Sequence, residues 1–306
     1  MSELRFVFLG TSSGRPTPRR SLSAVYLQYA GDSILFDCGE GTQLQMLRAG
    51  TRSSRLVAIA ISHFHGDHIN GLPGFIGTMG LSGHEDPLRV VGPRGIEKYF
   101  MTLRELGILR PQFPIDIVHN EVGVVIEDAA YTVETVKTDH RITTHGYIFR
   151  ERDLPGRFDL ERARALGVPA GPLFGQLQRG ASVKLADGRT IESAEVMGPT
   201  RRGRSVAYVP DTRPSKRVVE QVRGVDVLIH EATYTQEFAD QAIDRKHSTS
   251  VEAARVALEA GVGRLVLTHI SPKLGNGKLL LDEARAIFPN TDLADDLSEF
   301  AVPVPE

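Results

Sequence analysis

The sequence predicts an α/β fold, and three observations carry that expectation. Short apolar runs bounded by glycine-rich turns recur along the chain. Stretches of helical character fall between them instead of in a separate half. Residues 56–61 are apolar without interruption, as expected of a strand covered on both faces.

Taken in order, residues 4–9 read as a first strand running into Gly10-Thr11-Ser12-Ser13-Gly14. Residues 24–29 alternate and pair with 33–36 as a hairpin turning near Gly31-Asp32. That second run ends at Asp37-Cys38-Gly39-Glu40-Gly41, after which 42–49 reads as a helix. The strand at 56–61 leads into the loop richest in chemistry. Further helices are predicted over 94–107 and 251–260, and strands near 88–91, 115–119, 131–137, 145–150, 205–209, 225–230 and 264–268. The chain shows no tandem repeat of 20–50 residues.

Composition narrows the class of molecule. Hydrophobic residues at 41% and charged residues at 24% argue against a disordered, collagen-like or coiled-coil chain. With 36 Lys and Arg against 38 Asp and Glu, the net charge of −2 gives no global nucleic-acid signal, so a nucleic-acid partner requires a local basic surface. Cys38 is the one cysteine and cannot form an internal disulfide; the first residues lack a signal-peptide pattern, so the cytoplasm is the expected compartment. No window approaches the roughly 18 apolar residues of a membrane span, and no membrane partner is expected.

Residues 151–203 differ from their surroundings. They hold nine Lys and Arg against seven Asp and Glu, with eight Gly and four Pro, so a locally +2 insert interrupts a remainder carrying −4. Asp187-Gly188 marks a hairpin within it. Such an insert is either plain surface or a binding element.

The chemistry concentrates in Ser62-His63-Phe64-His65-Gly66-Asp67-His68, where three imidazoles and a carboxylate fall within six residues after a core strand. A single histidine at a loop is an ordinary surface residue, but four such donors on one loop can converge on one metal ion or on two adjacent ones. Imidazole and carboxylate suit Zn²⁺, although the same donors accept Mn²⁺ or Co²⁺, and a site without thiolates leaves room for a water.

This loop resembles the histidine motif of the metallo-β-lactamase superfamily. The resemblance implies an αββα sandwich of two mixed sheets with helices outside, as one domain over residues 1–306. It also implies three further ligands after strands, matched here by His140, Asp211 and His269. By that analogy His63, His65 and His140 hold one zinc ion, Asp67, His68 and His269 hold a second, and Asp211 bridges, giving two Zn²⁺ per subunit. Read alone, Asp211-Thr212 before Arg213-Pro214 is also compatible with a helix cap.

Within the superfamily the chain resembles the ribonuclease Z branch. The residues that carry this are Phe36-Asp37-Cys38-Gly39-Glu40-Gly41-Thr42-Gln43, Gly71-Leu72-Pro73-Gly74, His230-Glu231-Ala232-Thr233, Lys246-His247-Ser248-Thr249 and, in the insert, Gly171-Pro172-Leu173-Phe174. The resemblance runs from residue 4 to about 303. It implies an endoribonuclease that removes the 3′ trailer of precursor tRNA, leaving a 3′-hydroxyl and a 5′-phosphate. It further implies that 151–203 is a protruding tRNA-binding arm, and that a homodimer lets one subunit's arm present tRNA to the other's metal site. Asp67 is then suited to take a proton from water. His247 would lie near the leaving oxygen, kept cationic by Glu231.

Arg15, Arg19 and Arg20 are candidate phosphate contacts or an ordinary solvated basic loop. His84, His119 and His145 have no place in the ligand set, and Cys38 reads as a small buried residue. Thr78-Met79-Gly80-Leu81 stands where the family pattern is more basic and serine-rich. Two other functions remain open on sequence: a hydrolase of small-molecule esters or phosphodiesters on the same fold, and a non-catalytic RNA-binding protein with a structural metal.

Overall fold

The computed structural model describes residues 2–121 and 123–304. Its strands are β1 Leu4–Gly10, β2 Ala24–Tyr29, β3 Asp32–Phe36, β4 Leu56–Ala60, β5 Leu88–Gly92, β6 Ile115–His119, β7 Val124–Glu127, β8 Tyr131–Lys137 and β9 His145–Glu151. They continue with β10 Val183–Lys184, β11 Thr190–Ile191, β12 Ser205–Val209, β13 Val227–Glu231, β14 Arg264–Thr268, β15 Thr291–Leu293 and β16 Glu299–Ala301.

Side-chain alternation along the strands makes the layers. Leu4, Phe6 and Phe8 of β1 pack with Leu27, Ile34 and Phe36 against Val133, Tyr147, Phe149, Val206, Tyr208 and Ile229, filling the space between two sheets. Each fully buried phenylalanine there contributes about 1.5–3 kcal/mol relative to exposure. The intervening residues Val7, Leu9, Tyr26, Leu35 and Ile59 turn the other way and meet Leu72, Phe75, Ile76 and Met79. On the second sheet Ala207, Leu228, Leu265 and Leu267 likewise meet Val218, Ala253, Ala254 and Ala257. The result is the αββα order of four layers, and it explains why the central strands read as unbroken apolar runs.

Both sheets are mixed and seven-stranded, in the orders β16-β1-β2-β3-β4-β5-β6 and β15-β14-β13-β12-β9-β8-β7. In the first, β1 to β3 are antiparallel and β3 to β6 parallel. In the second, β12 to β15 are parallel and β9 joins β12 antiparallel. The hairpin between β2 and β3 turns through Ala30 and Gly31, both with positive φ.

Helix Ser250–Ala260 begins in a capping box between Thr249 and Glu252 and stops at Gly261 in the left-handed region. Helix Leu72–Leu81, unpredicted from sequence, carries Gly74, Gly77 and Gly80, each of which weakens intrinsic helix preference. Pro73 in the first turn starts it, and burial of Leu72, Phe75, Ile76 and Met79 on one face sustains it.

Residues Glu151–Arg204 form a second compact unit. It has its own small core of Ala163, Val168, Leu177, Val183, Ile191 and Val196. Helices Leu160–Ala165, Pro172–Gln178 and Ser193–Val196 surround the β10–β11 ribbon, whose turn contains Gly188 at φ 89°. Its first and last residues are joined by a buried pair: the Arg204 Nε and Nη2 atoms donate to the Glu151 carboxylate at 2.8 and 2.9 Å. Among the described residues no helix is long and apolar enough to cross a membrane.

Candidate metal centre

Strand ends supply the donors. His63 lies just beyond β4, His140 beyond β8, Asp211 beyond β12 and His269 directly after β14, while Asp67 and His68 ride on the short helix Gly66–Ile69. The loop after β3 fixes that helix in place: the Cys38 N–H donates to the His68 carbonyl at 2.8 Å and the Gly71 N–H to the Cys38 carbonyl at 2.9 Å. A Cβ on Gly71 would stand 2.0 Å from the Gly39 carbonyl oxygen, so only glycine allows the two loops this approach.

The donor atoms form two groups that share Asp211. In the first, His65 Nδ1 lies 3.0 Å from His63 Nε2 and 3.3 Å from His140 Nε2. Asp211 Oδ2 is 3.6 Å from His63 Nε2 and 3.5 Å from His140 Nε2. In the second, His68 Nε2 and His269 Nε2 are 3.3 Å apart, with Asp67 Oδ2 3.6 and 3.4 Å from them. Asp211 Oδ1 stands 3.3 Å from each of those two nitrogens.

Four donors at about 2.0–2.1 Å around a tetrahedral ion are separated by about 3.3 Å, the scale seen here. Asp211 Oδ1 is buried without a hydrogen-bond partner among the described residues, which leaves its lone pairs for a cation. The two donor groups therefore fit metal ions on the geometry and chemistry of the residues themselves, and Asp211, His247 and His269 form a third set of donors within the same reach.

The opposite ring nitrogens are held by a surrounding set of acceptors, which aims each ligand inward. His68 Nδ1 meets Asp37 Oδ2 at 2.7 Å. Ser62 Oγ donates to the same oxygen at 3.0 Å and so accepts from His63 Nδ1 at 2.9 Å. His140 Nδ1 donates to the Lys246 carbonyl at 2.9 Å. Asp37, fully buried, also accepts from the Tyr208 hydroxyl at 2.7 Å and the Ser62 N–H at 2.7 Å. One carboxylate thus steadies ligands of both groups.

At His63, His65, His140, Asp67 and Asp211 the favoured protonation state is the one that ligates a cation, whereas at His68 a cation has to displace a proton that the carboxylates favour. Burial, aided by neighbouring imidazoles, lowers His63, and burial is the leading cause that lowers His65 and His140. Burial opposes ionisation of Asp211, yet His269, His68 and His63 hold it well below the usual carboxylate range. Asp67 is likewise held low against burial by His68 and His269. Burial pulls His68 down, but the carboxylates of Asp211, Asp37 and Asp67 outweigh it and raise it. Neutral imidazoles and ionised carboxylates are the forms that bind cations.

Beside the donors sits a second pair. His247 Nδ1 is 2.9 Å from Glu231 Oε1 and 4.0 Å from Asp211 Oδ2. Burial lowers the His247 imidazole, but Glu231 first and Asp211 after it bring it up to about 9. Glu231 is fully buried at the end of β13 and accepts from the Thr212 N–H at 2.9 Å, the Thr233 N–H at 3.1 Å and the Thr233 hydroxyl at 2.7 Å. His230 is buried apart from the donors, with Nδ1 on the Glu231 carbonyl at 2.7 Å.

Other singled-out residues fall elsewhere. Arg20 is neither a free phosphate contact nor a solvated charge: it is buried, donating to Thr11 Oγ1 at 2.7 Å, the Ala294 carbonyl at 2.6 Å and Asp295 at 2.6 Å. With the Asn276 carbonyl at 3.4 Å, four acceptors close around its guanidinium and tie the loop after β1 to the C-terminal segment. Arg15 and Arg19 are exposed. His84 stands edge-on to Phe113, His119 pairs with Glu97 at 2.6 Å, and His145 is buried at the start of β9. Cys38 is buried and its thiol is pushed up to about 12 by that burial. The sequence gives Asp37 and Ser62 no ligand role; the one signal Asp37 carries is its place in the Phe36–Gln43 motif directly after a buried strand.

Comparison with known proteins gives concordant matches. Residues 4–98 match the family model described as Anti-Pycsar protein Apyc1, and 179–270 the model described as Beta-lactamase superfamily domain. The chain is 44% identical over 307 residues to Ribonuclease Z of Gloeothece citriformis, covering 98% of this chain and 96% of the relative. It is 43% identical over 301 residues to Ribonuclease Z of Methanosarcina acetivorans, covering 98% of both. Among solved structures it resembles human tRNase Z, short form, at 25% identity with a TM-score of 0.71, covering 98% of this chain and 100% of that one. The metallo-β-lactamase fold protein YhfI from Bacillus subtilis, at 20% identity and a TM-score of 0.70 over 98% of this chain and all of that one, shares the fold.

Proposed function

The chain belongs to the ribonuclease Z family, and from that premise we propose that it is a zinc-dependent endoribonuclease that removes the 3′ trailer from precursor tRNA. The tRNA would keep a 3′-hydroxyl and the trailer a 5′-phosphate. The observation that carries this reading is the His247–Glu231 pair standing 4.0 Å from the carboxylate shared by the two donor groups.

In this reading His63, His65 and His140 hold one ion, Asp67, His68 and His269 hold the other, and Asp211 serves both. Nitrogen and oxygen donors at tetrahedral spacing support zinc. Two such ions, when bound, supply a nucleophile made from water at neutral pH and compensate the charge of the phosphoryl oxygens.

The remaining work belongs to the chain. Asp67, anchored by the Gly14 N–H on its Oδ2 at 2.7 Å, is the proposed acceptor of the attacking water's proton. Water oxygen bonds to phosphorus while the bond from phosphorus to the 3′-oxygen of the tRNA breaks. His247 has its Nδ1 committed to Glu231, so Nε2 gives the proton that turns the departing oxygen into a hydroxyl. The buried Glu231 keeps that imidazole cationic and aimed.

Residues 151–203 are the proposed tRNA-binding arm, working across a homodimer so that one subunit's arm presents tRNA to the other's donors. Two attachment points on one substrate raise its effective concentration at the site. The proposed compartment is the cytoplasm, where the thiol of Cys38 stays reduced. Incubating the zinc-loaded protein with labelled precursor tRNAs, with and without an encoded CCA end, and with a panel of small esters tests the reading. Discrete trailer products support it; ester turnover without RNA cleavage would replace it with a small-molecule hydrolase.

A further inference from the structure

We propose that Thr233 is a positioning residue whose single hydroxyl proton sets the ring orientation and tautomer of His269 and, through Glu231, ties that ligand to His247. The inference rests on the metal-centre reading above. Both Glu231 oxygens accept backbone N–H groups, Oε1 from Thr212 and Oε2 from Thr233, so the Thr233 hydroxyl, 2.7 Å from Oε2, spends its one proton there. Its lone pairs then face His269 Nδ1 at 3.0 Å, which must be the protonated nitrogen. His269 Nε2 is left with its lone pair turned inward, 3.3 Å from both His68 Nε2 and Asp211 Oδ1.

Glu231 divides its two oxygens between these tasks. Oε1 takes His247 Nδ1 at 2.9 Å and Oε2 takes Thr233, so a continuous chain runs from His247 through Glu231 and Thr233 to His269. The backbone makes Thr233 rigid as well: its N–H also donates to Oε2 at 3.1 Å and its carbonyl accepts from the Ser271 N–H at 3.3 Å. His269 itself has a φ of 59°, a left-handed backbone for a bulky residue, which the flanking contacts must hold. The chemistry needs a hydroxyl at position 233 and makes no use of its methyl group.

The test compares Thr233→Val, which keeps the shape and removes the hydroxyl, with Thr233→Ser, which keeps the hydroxyl. Purified full-length proteins loaded with zinc are equilibrated against graded chelator, and zinc per subunit is read by mass spectrometry. Loss of a partner that orients a metal ligand typically weakens binding 10–100-fold. Thr233→Val should therefore release one of two zinc ions at a correspondingly lower chelator concentration, while Thr233→Ser retains both like wild type. A valine variant that holds both ions as wild type does, or a serine variant that releases one as valine does, would overturn the inference. Wild-type protein that binds no zinc would instead overturn the metal-centre reading itself. Should far-UV circular dichroism show the valine variant unfolded, Thr233→Ala takes its place with the same outcomes.

Discussion

Asp211 offers one oxygen to each donor group, and that arrangement makes a specific prediction at the scale of single residues. Asp211→Ala and His65→Ala should each lower bound zinc and abolish RNA cleavage while far-UV circular dichroism stays native, because neither side chain belongs to the buried apolar layers. Mass spectrometry showing two retained zinc ions in both variants would remove these residues from the ligand set.

His247 should behave differently. His247→Ala should slow cleavage about 10²–10⁴-fold with zinc content unchanged, as for loss of one general acid. Glu231→Gln should give part of that defect, and the double variant should fall short of the product of the two, because the pair acts as a unit. The pair also predicts a pH effect on the metal-free protein. The His247 imidazole is raised from its ordinary 6.5 to about 9 in the fold, so its stabilising contribution is complete below about pH 6.5 and is lost as pH rises through 9. Denaturant midpoints measured across that window should fall less steeply in Glu231→Gln than in wild type; parallel slopes would contradict the linkage.

Elements were legible where their own sequence agreed with the fold. The alternation of 24–29 and the unbroken run at 56–61 led to the observed β2 and β4, and the helix expected over 251–260 is the observed Ser250–Ala260. Helix Leu72–Leu81 was hidden by its three glycines, since packing of one apolar face and not propensity sustains it. The three-residue strands β15 and β16 were hidden for another reason: they exist through pairing with β14 and β1, distant in sequence. The histidine-rich loop could be read as a set of donors, but the acceptors behind it could not, because Asp37 reaches His68 across 31 positions and Thr233 reaches His269 across 36.

The capping box after His247 gives a test at this scale. Thr249 caps helix Ser250–Ala260, and Glu252 both completes the box and pairs with Arg213, whose Nη1 also donates to the His247 carbonyl at 2.5 Å. Thr249→Ala should cost about 1 kcal/mol of stability, within the 0.5–2 kcal/mol typical of lost N-caps. Chemical denaturation measures this directly, and an unchanged midpoint would show that the cap does not hold this helix.

For the molecule as a whole, the division of labour between the compact unit Glu151–Arg204 and the rest is open to deletion. All seven proposed ligands lie outside residues 160–198, so removing that stretch should leave zinc content and hydrolysis of bis(p-nitrophenyl) phosphate intact. Precursor tRNA cleavage at limiting substrate should fall, and the salt dependence of tRNA binding should flatten as phosphate contacts are lost. Equal tRNA cleavage by the shortened and full-length proteins would make the insert surface decoration.

The central claim is that this chain cuts one defined bond in precursor tRNA, the one between phosphorus and the 3′-oxygen of the mature tRNA end. End-group mapping of the products from a single turnover, by mass spectrometry on an unlabelled precursor, measures it most directly. The account predicts tRNA ending in a 3′-hydroxyl and a trailer beginning with a 5′-phosphate, both lost in His65→Ala. A 2′,3′-cyclic or 3′-phosphate on the tRNA, or no RNA product from zinc-loaded protein that still hydrolyses the small phosphodiester, would contradict it.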